Sequence, residues 1–185
     1  MTQLSQNNTI GTLGPAFSFH DILRREKLSD ASVRYFDSFD DIFFALQNDH
    51  IQMALVAVKN SIHGDVAKNS EMITLSNFQV IKNFDLPISL HLTAKAALDL
   101  NDVKKIFAHP VAWNECQSFL INIGAKHLSS SSNSQAVIDL TNSPETQIAA
   151  ISGREAIEQA GLTMLYENIH DRESNITTFS LIAKK

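Results

Sequence analysis

Hydrophobic residues in the first third of the chain alternate between short runs and helical stripes. Apolar runs at residues 9–13, 32–36 and 53–58 predict three strands, and the last run is nearly continuous, as in a strand covered on both faces. Helices are predicted to begin at Ser18 and Ser38, because serine caps a first turn well. The second helix carries apolar residues with the i, i+3, i+4, i+7 spacing of a buried stripe: Phe39, Ile42, Phe43 and Leu46.

The rest of the chain continues this alternation. Further strands are predicted over residues 78–84, 86–93, 105–108, 126–129, 147–151, 162–166 and 179–183, and further helices over 110–121, 135–140 and 154–160. Pro87 indicates an edge strand or a break. The serine-rich run 129–134 has the composition of a linker, but we interpret it as a helix cap because a strand precedes it and an amphipathic pattern follows it.

Strands that alternate with short helices in both halves predict an α/β protein with two lobes and a cleft between them. The first lobe is expected to comprise residues 8–80 and 170–185, and the second residues 81–169. A polar run at 59–69 follows the third strand. In open α/β sheets this end of the strands is where ligands bind.

Composition limits the possible partners. The net charge of -5 argues against nucleic-acid and anionic-membrane surfaces, and 44% hydrophobic with 19% charged residues is typical of a globular protein. A single cysteine, Cys116, excludes an internal disulfide and fits a reducing compartment. No apolar run approaches the roughly 20 residues of a membrane span, and residues 1–8 lack the apolar core of a secretory signal. A cytoplasmic location is therefore expected.

Polar turns follow the predicted strands at the starts of helices. Helix N-termini present unpaired N–H groups that bind carboxylates or phosphates, although such residues also serve simply as caps. The seven histidines lack metal-ligand spacing, and the sequence contains neither a Walker loop nor a Gly-x-Gly-x-x-Gly pattern, so neither metal nor cofactor is expected. The turns lie at Gly14–Ser18, Asn60-Ser61, His109-Pro110, Ser132–Ser134 and Ser152-Gly153.

Five ordered motifs, spread over nearly the whole chain, resemble the catalytic domain of prephenate dehydratases. That resemblance implies a two-lobed, periplasmic-binding-protein-like (type II) fold, and it implies no regulatory ACT domain because the sequence ends at Lys185. The motifs are Leu13-Gly14-Pro15 with Ser18-Phe19, Asn60-Ser61 with Gly64, Ala108-His109-Pro110 with Cys116, Ala149-Ala150-Ile151 with Gly161-Leu162, and Asn168-Ile169-His170-Asp171 leading to Asn175-Ile176-Thr177-Thr178-Phe179.

The chain departs from the family pattern inside these motifs. Phe17 replaces a glycine, Ala57 a proline, Val111 a glutamine and Thr178 an arginine. Two glutamates of the pattern are replaced by Lys59 and His63. A guanidinium holds a carboxylate through two charge-assisted bonds, whereas threonine supplies one neutral bond. We hypothesise that the Lys59 ammonium compensates for the arginine that Thr178 replaces.

The resemblance also implies the site and the reaction. It implies a lyase that converts prephenate to phenylpyruvate in phenylalanine biosynthesis, with Thr177 as the catalytic hydrogen-bond donor to the departing oxygen. The partners implied are a prephenate-like dicarboxylate and a second copy of the chain, in a homodimer or higher homo-oligomer. For His109 the alternative is a packed, capping histidine. The substrate-binding residues implied are Ser18, Lys59, Asn60, Ser61, His109, Ser152, Thr178 and Phe179.

Two other functions remain open. Prephenate decarboxylases of antibiotic pathways resemble the dehydratases and lack the sensing domain, and Gly11–Pro15 and Asn133–Ala136 are compatible with that branch. The ending Asn175–Phe179 favours the dehydratases instead. The third function is non-catalytic binding of a small organic anion, because a fold does not fix a function.

Overall fold

Two separate sheets carry the chain, and the computed structural model describes residues 8–185. The strands are β1 (Thr9–Leu13), β2 (Ser32–Phe36), β3 (Met53–Asn60), β4 (Gly64–Asp65), β5 (Phe78–Pro87), β6 (His91–Ala94), β7 (Lys105–Ala108), β8 (Lys126–Ser129), β9 (Ile148–Ser152), β10 (Thr163–Tyr166) and β11 (Ile176–Lys184). The helices are α1 (Phe19–Lys27), α2 (Phe39–Gln47), α3 (Ala67–Leu75), α4 (Pro110–Glu115), α5 (Gln117–Leu120), α6 (Asn133–Asn142) and α7 (Arg154–Gln159), with a 3₁₀ turn at Leu100–Asp102.

The first unit contains the described residues up to Pro87 together with Ser174–Lys185. Its sheet has the order β2-β1-β3-β11-β5, with β4 paired to β3. The first three strands are parallel, and β11 enters antiparallel between β3 and β5. The sheet is therefore completed by the last strand of the sequence.

Alternating residues of β3 and β11 face opposite sides of this sheet. On one side, Val56 and Ile182 pack in a core with α2, and residues of α3 lie against it. On the other side, Leu55 and Leu181 are opposite each other and almost fully buried, and the His20 ring of α1 contacts Phe179. Helix α1 thus covers the face opposite to α2 and α3.

The second unit is Ile88–Glu173. Its sheet has the order β10-β6-β9-β7-β8, in which β7 is parallel to β8 and β9, and β6 is antiparallel to β9 and β10. A core of Ala136, Leu140, Ile148 and Ala150 joins α6 to the sheet. None of the described helices combines the length and hydrophobicity that crossing a bilayer requires.

Serine caps occur where the sequence predicts them. The Ser18 hydroxyl accepts a hydrogen bond from the Asp21 N–H at 3.2 Å, and Ser38 does the same for Asp41 at 3.1 Å. Ser132 accepts from the Gln135 N–H at 3.0 Å, so the serine-rich run caps α6 and is not a linker.

Three element predictions differ from the structure. The break expected between residues 84 and 86 lies at 88–90, because β5 pairs with β11 along its whole length and ends at Pro87 on the edge of the sheet. The lobe boundary expected after residue 80 consequently falls inside β5. The polar run 59–69, predicted to follow the third strand, overlaps the end of β3 at Asn60 and the start of α3 at Ala67. The single helix predicted over 110–121 is divided in two at Cys116.

Candidate functional site

The end of β3 and the start of β11 form one polar cluster in the first unit. Asn60 lies opposite Thr177 in the antiparallel pair, and the Ser61 N–H donates to the Ile176 carbonyl at 2.8 Å. The pairing therefore brings Asn60 and Ser61 beside Thr177, although more than a hundred residues separate them in sequence.

Every polar atom of the Asn60 side chain has a partner. Its Oδ1 accepts hydrogen bonds from the N–H groups of Ile62 at 2.8 Å and His63 at 3.0 Å. Its Nδ2 donates to Asn175 Oδ1 at 2.8 Å and to Thr177 Oγ1 at 3.0 Å. Asn60 thus shapes the turn after β3 and joins it to the start of β11.

The Thr177 hydroxyl accepts a hydrogen bond but donates none within residues 8–185. The side chain is half-buried, on the α1 face of the sheet. Because the Asn60 amide occupies a lone pair of this oxygen, the hydroxyl hydrogen remains for a ligand. Thr177 is therefore held as an oriented donor.

Ser61 fastens the first residues of β11. Its hydroxyl donates to the Ser174 carbonyl at 3.0 Å and accepts from the Ile176 N–H at 2.9 Å. The residue is exposed, yet both hydrogen bonds hold the backbone on either side of buried Asn175. A ligand contact by Ser61 would have to share these bonds.

Lys59 and Thr178 are also opposite each other, one register position along, on the side of the sheet away from Thr177. The Thr178 hydroxyl donates to Asp85 Oδ1 at 2.6 Å, in the neighbouring strand β5. Lys59 is exposed and forms no ion pair with another described residue. The structure thus brings the two residues together, but not on the face that carries Thr177.

Phe179 fills the α1 face two residues beyond Thr177. Its ring is 1% exposed and meets the His20 ring edge-on, with ring centroids 4.8 Å apart. His20 also contacts Phe39 at 5.6 Å, and its Nε2 atom is shielded from solvent without a hydrogen-bond partner among the described residues. Burial lowers the pKa of His20 to about 3, so the ring is neutral. Phe179 therefore packs against a neutral histidine on the same face of the sheet as Thr177.

The turn between β1 and α1 uses most of its own polar groups. The Ser18 hydroxyl, besides capping α1, donates to the Leu13 carbonyl at 3.0 Å, and the Phe17 N–H donates to Asp21 Oδ2 at 2.9 Å. Phe17 has a φ of 65°, in the left-handed region, and the Arg25 guanidinium lies 4.6 Å from the centre of its ring. Neither the Ser18 hydroxyl nor the Phe17 N–H is free for an anion.

Asp21 is the anion that organises this turn. Burial by itself raises the pKa of Asp21, but hydrogen bonds from Phe17, Tyr35 and Arg24 outweigh burial and hold that pKa below its ordinary value. The Tyr35 hydroxyl donates to Oδ1 at 2.7 Å, and Arg24 donates through both Nε and an NH₂ group. The first turn of α1 therefore already contains a buried carboxylate.

His109 and Ser152 lie in the second unit and both hold helix starts. His109 Nδ1 accepts a hydrogen bond from the Val111 N–H at 3.3 Å, and burial together with neighbouring His127 lowers the pKa of His109. Ser152 is fully buried, and its hydroxyl donates to the Asn133 carbonyl at 2.8 Å. The side chain of Ser152 thus serves the fold, which leaves only backbone groups at this turn for a ligand.

No arrangement of three His, Cys, Asp or Glu side chains able to hold a metal ion occurs within residues 8–185. The side chains around Thr177 offer neutral hydroxyl and amide groups, and Lys59 lies on the opposite face of the sheet.

A family model described as prephenate dehydratase matches residues 10–185. The chain belongs to the prephenate dehydratase family. It is 30% identical to the prephenate dehydratase of Methanocaldococcus jannaschii over 157 residues, which cover 84% of this chain and 56% of that protein. The chain spans about half the length of the curated relatives that it matches.

Solved structures agree with this family. Prephenate dehydratase from Arthrobacter aurescens, in complex with L-Phe, superposes with a TM-score of 0.83 at 25% identity, covering 96% of this chain and 60% of that one. An arginine-transport periplasmic binding protein from Legionella pneumophila shares the fold at a TM-score of 0.50 and 15% identity, covering 96% of this chain and 86% of its own. The predicted α/β, periplasmic-binding-protein-like fold is confirmed.

The structure gives physical roles to the Asn168–Asp171 motif that this chain shares with the dehydratase pattern. Asn168 has a φ of 51°, which asparagine tolerates better than most residues, and its N–H donates to His91 Nδ1 at 3.1 Å. Ile169 is buried, and Asp171 Oδ1 accepts from the Ser118 N–H at 3.0 Å in the first turn of α5. In this chain the motif stabilises the second unit.

Sequence reasoning missed four residues that shape the dehydratase-like cluster. Asn175, His20, Asp21 and Asp85 all contact a predicted site residue or its turn. Of these four residues, the sequence could have indicated only Asn175, because it belongs to the Asn175–Phe179 motif that resembles the dehydratases. The contacts of the other three depend on pairings between elements that sequence patterns do not reveal.

Proposed function

We propose that this protein is a prephenate dehydratase-like lyase, which converts prephenate to phenylpyruvate with loss of water and carbon dioxide in phenylalanine biosynthesis. The observation that carries the proposal is the Thr177 hydroxyl, which accepts from Asn60 and has its hydrogen available to donate. Membership of the prephenate dehydratase family supplies the substrate class.

The proposed reaction needs one donor at the departing oxygen. The bond between the ring and its carboxylate breaks, carbon dioxide leaves, and the electron pair moves into the ring. The carbon–oxygen bond then breaks on the opposite side of the ring, and the hydroxyl takes up one proton from solvent and leaves as water. A threonine is too weak an acid to transfer that proton fully, so Thr177 contributes a positioned hydrogen bond to the developing charge.

The aromaticity of the product drives the reaction, so the protein mainly has to orient the substrate. The Phe179 ring is 1% exposed and packs against His20, so it supports the strand that carries Thr177 and leaves no surface for the ring of the substrate. The first turn of α1 favours anions through its N–H groups, but Asp21 opposes a second carboxylate there. We therefore propose that the substrate places its departing hydroxyl at Thr177 and its carboxylates away from Asp21.

The decisive experiment mixes purified protein with prephenate and identifies the product by NMR. Phenylpyruvate is the expected product. A decarboxylated, non-aromatic product that retains the hydroxyl would instead identify a decarboxylase, and tight binding of prephenate without turnover would identify a non-catalytic binder.

The role of Thr177 is tested by Thr177→Val, which keeps the shape and removes the donor. We expect kcat to fall by roughly 10²-fold or more, as for other lost transition-state donors, with only a modest fall in melting temperature because Asn60 Nδ2 loses one acceptor. Thr177→Ser should retain most of the activity. The matched control is Thr74→Val, which removes a hydroxyl that donates to the Ser70 carbonyl within α3. Unchanged turnover in Thr177→Val would remove this residue from the mechanism.

A further inference from the structure

We propose that Asn60 is a positioning residue that fixes the direction of the Thr177 hydroxyl, and that it does not bind the substrate itself. The proposal rests on the function proposed above, in which Thr177 donates to the departing oxygen. It replaces the direct substrate contact that the family resemblance implied for Asn60.

The orientation of the Asn60 amide follows from the backbone alone. Two main-chain N–H groups, those of Ile62 and His63, point at one end of this amide. An N–H group can only donate, so the atom that faces them must be the carbonyl oxygen Oδ1. The NH₂ end is therefore the end that faces Thr177.

The two hydrogens of this NH₂ group are both used. One is donated to Asn175 Oδ1 at 2.8 Å and the other to Thr177 Oγ1 at 3.0 Å. Asn175 is 2% exposed, so this bond lies in a shielded environment. With two bonds accepted and two donated, Asn60 has no donor left for a substrate oxygen.

The consequence for Thr177 is a fixed polarity. Its oxygen receives a hydrogen from Asn60, so its own hydrogen cannot point back along the same line. The N–H groups of Ile62 and His63 thus orient the Asn60 amide, and the Asn60 amide in turn makes the Thr177 hydroxyl a donor. A residue at position 60 that could only accept would reverse this polarity and draw the threonine hydrogen away from the ligand.

Asn60→Asp tests this inference because a carboxylate has nearly the same shape as the amide but only accepts. At alkaline pH we expect kcat for prephenate to fall by roughly 10²-fold or more with KM changed less than about threefold, because a lost transition-state donor costs about that much. When the introduced carboxyl group is protonated it can donate again, so the ratio of variant to parent kcat should rise as pH falls. The control is Asn83→Asp, which adds the same charge on β5, where the existing Oδ1 already only accepts from Ser180.

A purely structural role for Asn60 predicts a different pattern. The rate loss would then be independent of pH and accompanied by a lower melting temperature, and that result would overturn the inference. Parent-like kcat in Asn60→Asp would overturn it as well. If the polarity is what matters, adding Thr177→Val to Asn60→Asp should reduce kcat little further, because both changes remove the same donor.

A second measurement does not depend on turnover. The side-chain amide protons of Asn60 are observed by ¹⁵N NMR in the parent protein and in Thr177→Val. We expect one of the two protons to exchange faster with water in the variant, because its acceptor has been removed. Unchanged exchange would overturn the inference even in an active enzyme. Faster exchange in a protein that does not turn over prephenate would support the polarity while refuting the proposed reaction.

Discussion

Lys59 and Thr178 are direct partners across β3 and β11, and both lie on the face of the sheet opposite to Thr177. The register supports the hypothesis that the two positions act together, since a cation in β3 stands beside the position where the family pattern has arginine. Because Lys59 and Thr177 lie on opposite faces of the sheet, direct contact between the Lys59 ammonium and a substrate bound at Thr177 is not expected. Lys59 should then act on a dianion through long-range attraction.

Lys59→Ala should raise KM for prephenate by about threefold to fourfold at low salt and leave kcat unchanged. Two unit charges about 10 Å apart in water attract by about 0.4 kcal/mol, and the substrate carries two carboxylates. Salt at about 1 M should abolish the effect, because screening acts within about 3 Å there. Lys82→Ala, on the edge strand β5, is the charge-matched control. A tenfold or greater rise in KM that persists in high salt would instead establish direct contact between the Lys59 ammonium and prephenate.

Phe17 offers a test of backbone strain, because its φ of 65° lies in the left-handed region. Phe17→Gly should be more stable than Phe17→Ala by about 1 kcal/mol in denaturant unfolding, since alanine keeps the strain and glycine does not. Both variants lose the contact with the Arg25 guanidinium, so comparing them isolates the backbone term. Equal stability of the two variants would show that the turn does not hold residue 17 in this conformation.

His20 makes the stability of the protein depend on pH. Its pKa is about 3 in the folded protein and ordinary, near 6.5, in the unfolded chain. Between these values only the unfolded chain takes up the proton, so the free energy of unfolding falls as pH falls from 6.5, by up to about 1.4 kcal/mol per pH unit. In His20→Leu this part of the pH dependence should disappear.

The same variant should be as stable as the parent at pH 7, or more stable by up to about 1 kcal/mol, because it removes a buried nitrogen that has no hydrogen-bond partner within residues 8–185. His50→Leu is the control, since His50 is exposed. Parallel pH profiles of parent and His20→Leu would contradict the assigned pKa.

Ser152→Ala separates a structural from a substrate-binding role. The variant removes the hydrogen bond from buried Ser152 to the half-buried Asn133 carbonyl, so the free energy of unfolding should fall by about 1 kcal/mol. KM for prephenate should stay within about twofold of the parent value. A tenfold rise in KM at unchanged stability would assign the hydroxyl to the substrate instead.

Periodic apolar patterns predicted most elements of this fold because burial imposes them. Helix α3 escaped prediction because its N-cap, Val66, provides no side-chain bond and its one buried residue is polar Asn69. Asn69 is instead held by a bond from its Nδ2 to the Ala57 carbonyl at 2.8 Å. That contact depends on the tertiary structure, and no local pattern encodes it.

The sequence predicted which residues of the candidate site come together better than it predicted what each residue does there. Thr177, Asn60 and Ser61 come together as the motifs implied, but the bonding of Asn60 depends on a partner 115 residues away, at Asn175. Successive side chains of a strand point to opposite faces of its sheet. Because β11 begins at Ile176 and not, as the sequence predicted, at Phe179, Thr177 and Thr178 both lie in the strand and face opposite sides. The predicted strand, 179–183, excluded both threonines, so the prediction could not assign them to faces.

The position of β11 has a consequence for the order in which the protein is made. During synthesis, β3 and β5 leave the ribosome on the order of ten seconds before the strand that must lie between them. The contiguous segment Ile88–Glu173 can complete its own sheet during that interval. Thr177 arrives with the last strand, so the nascent chain lacks the proposed catalytic donor until the first sheet can close.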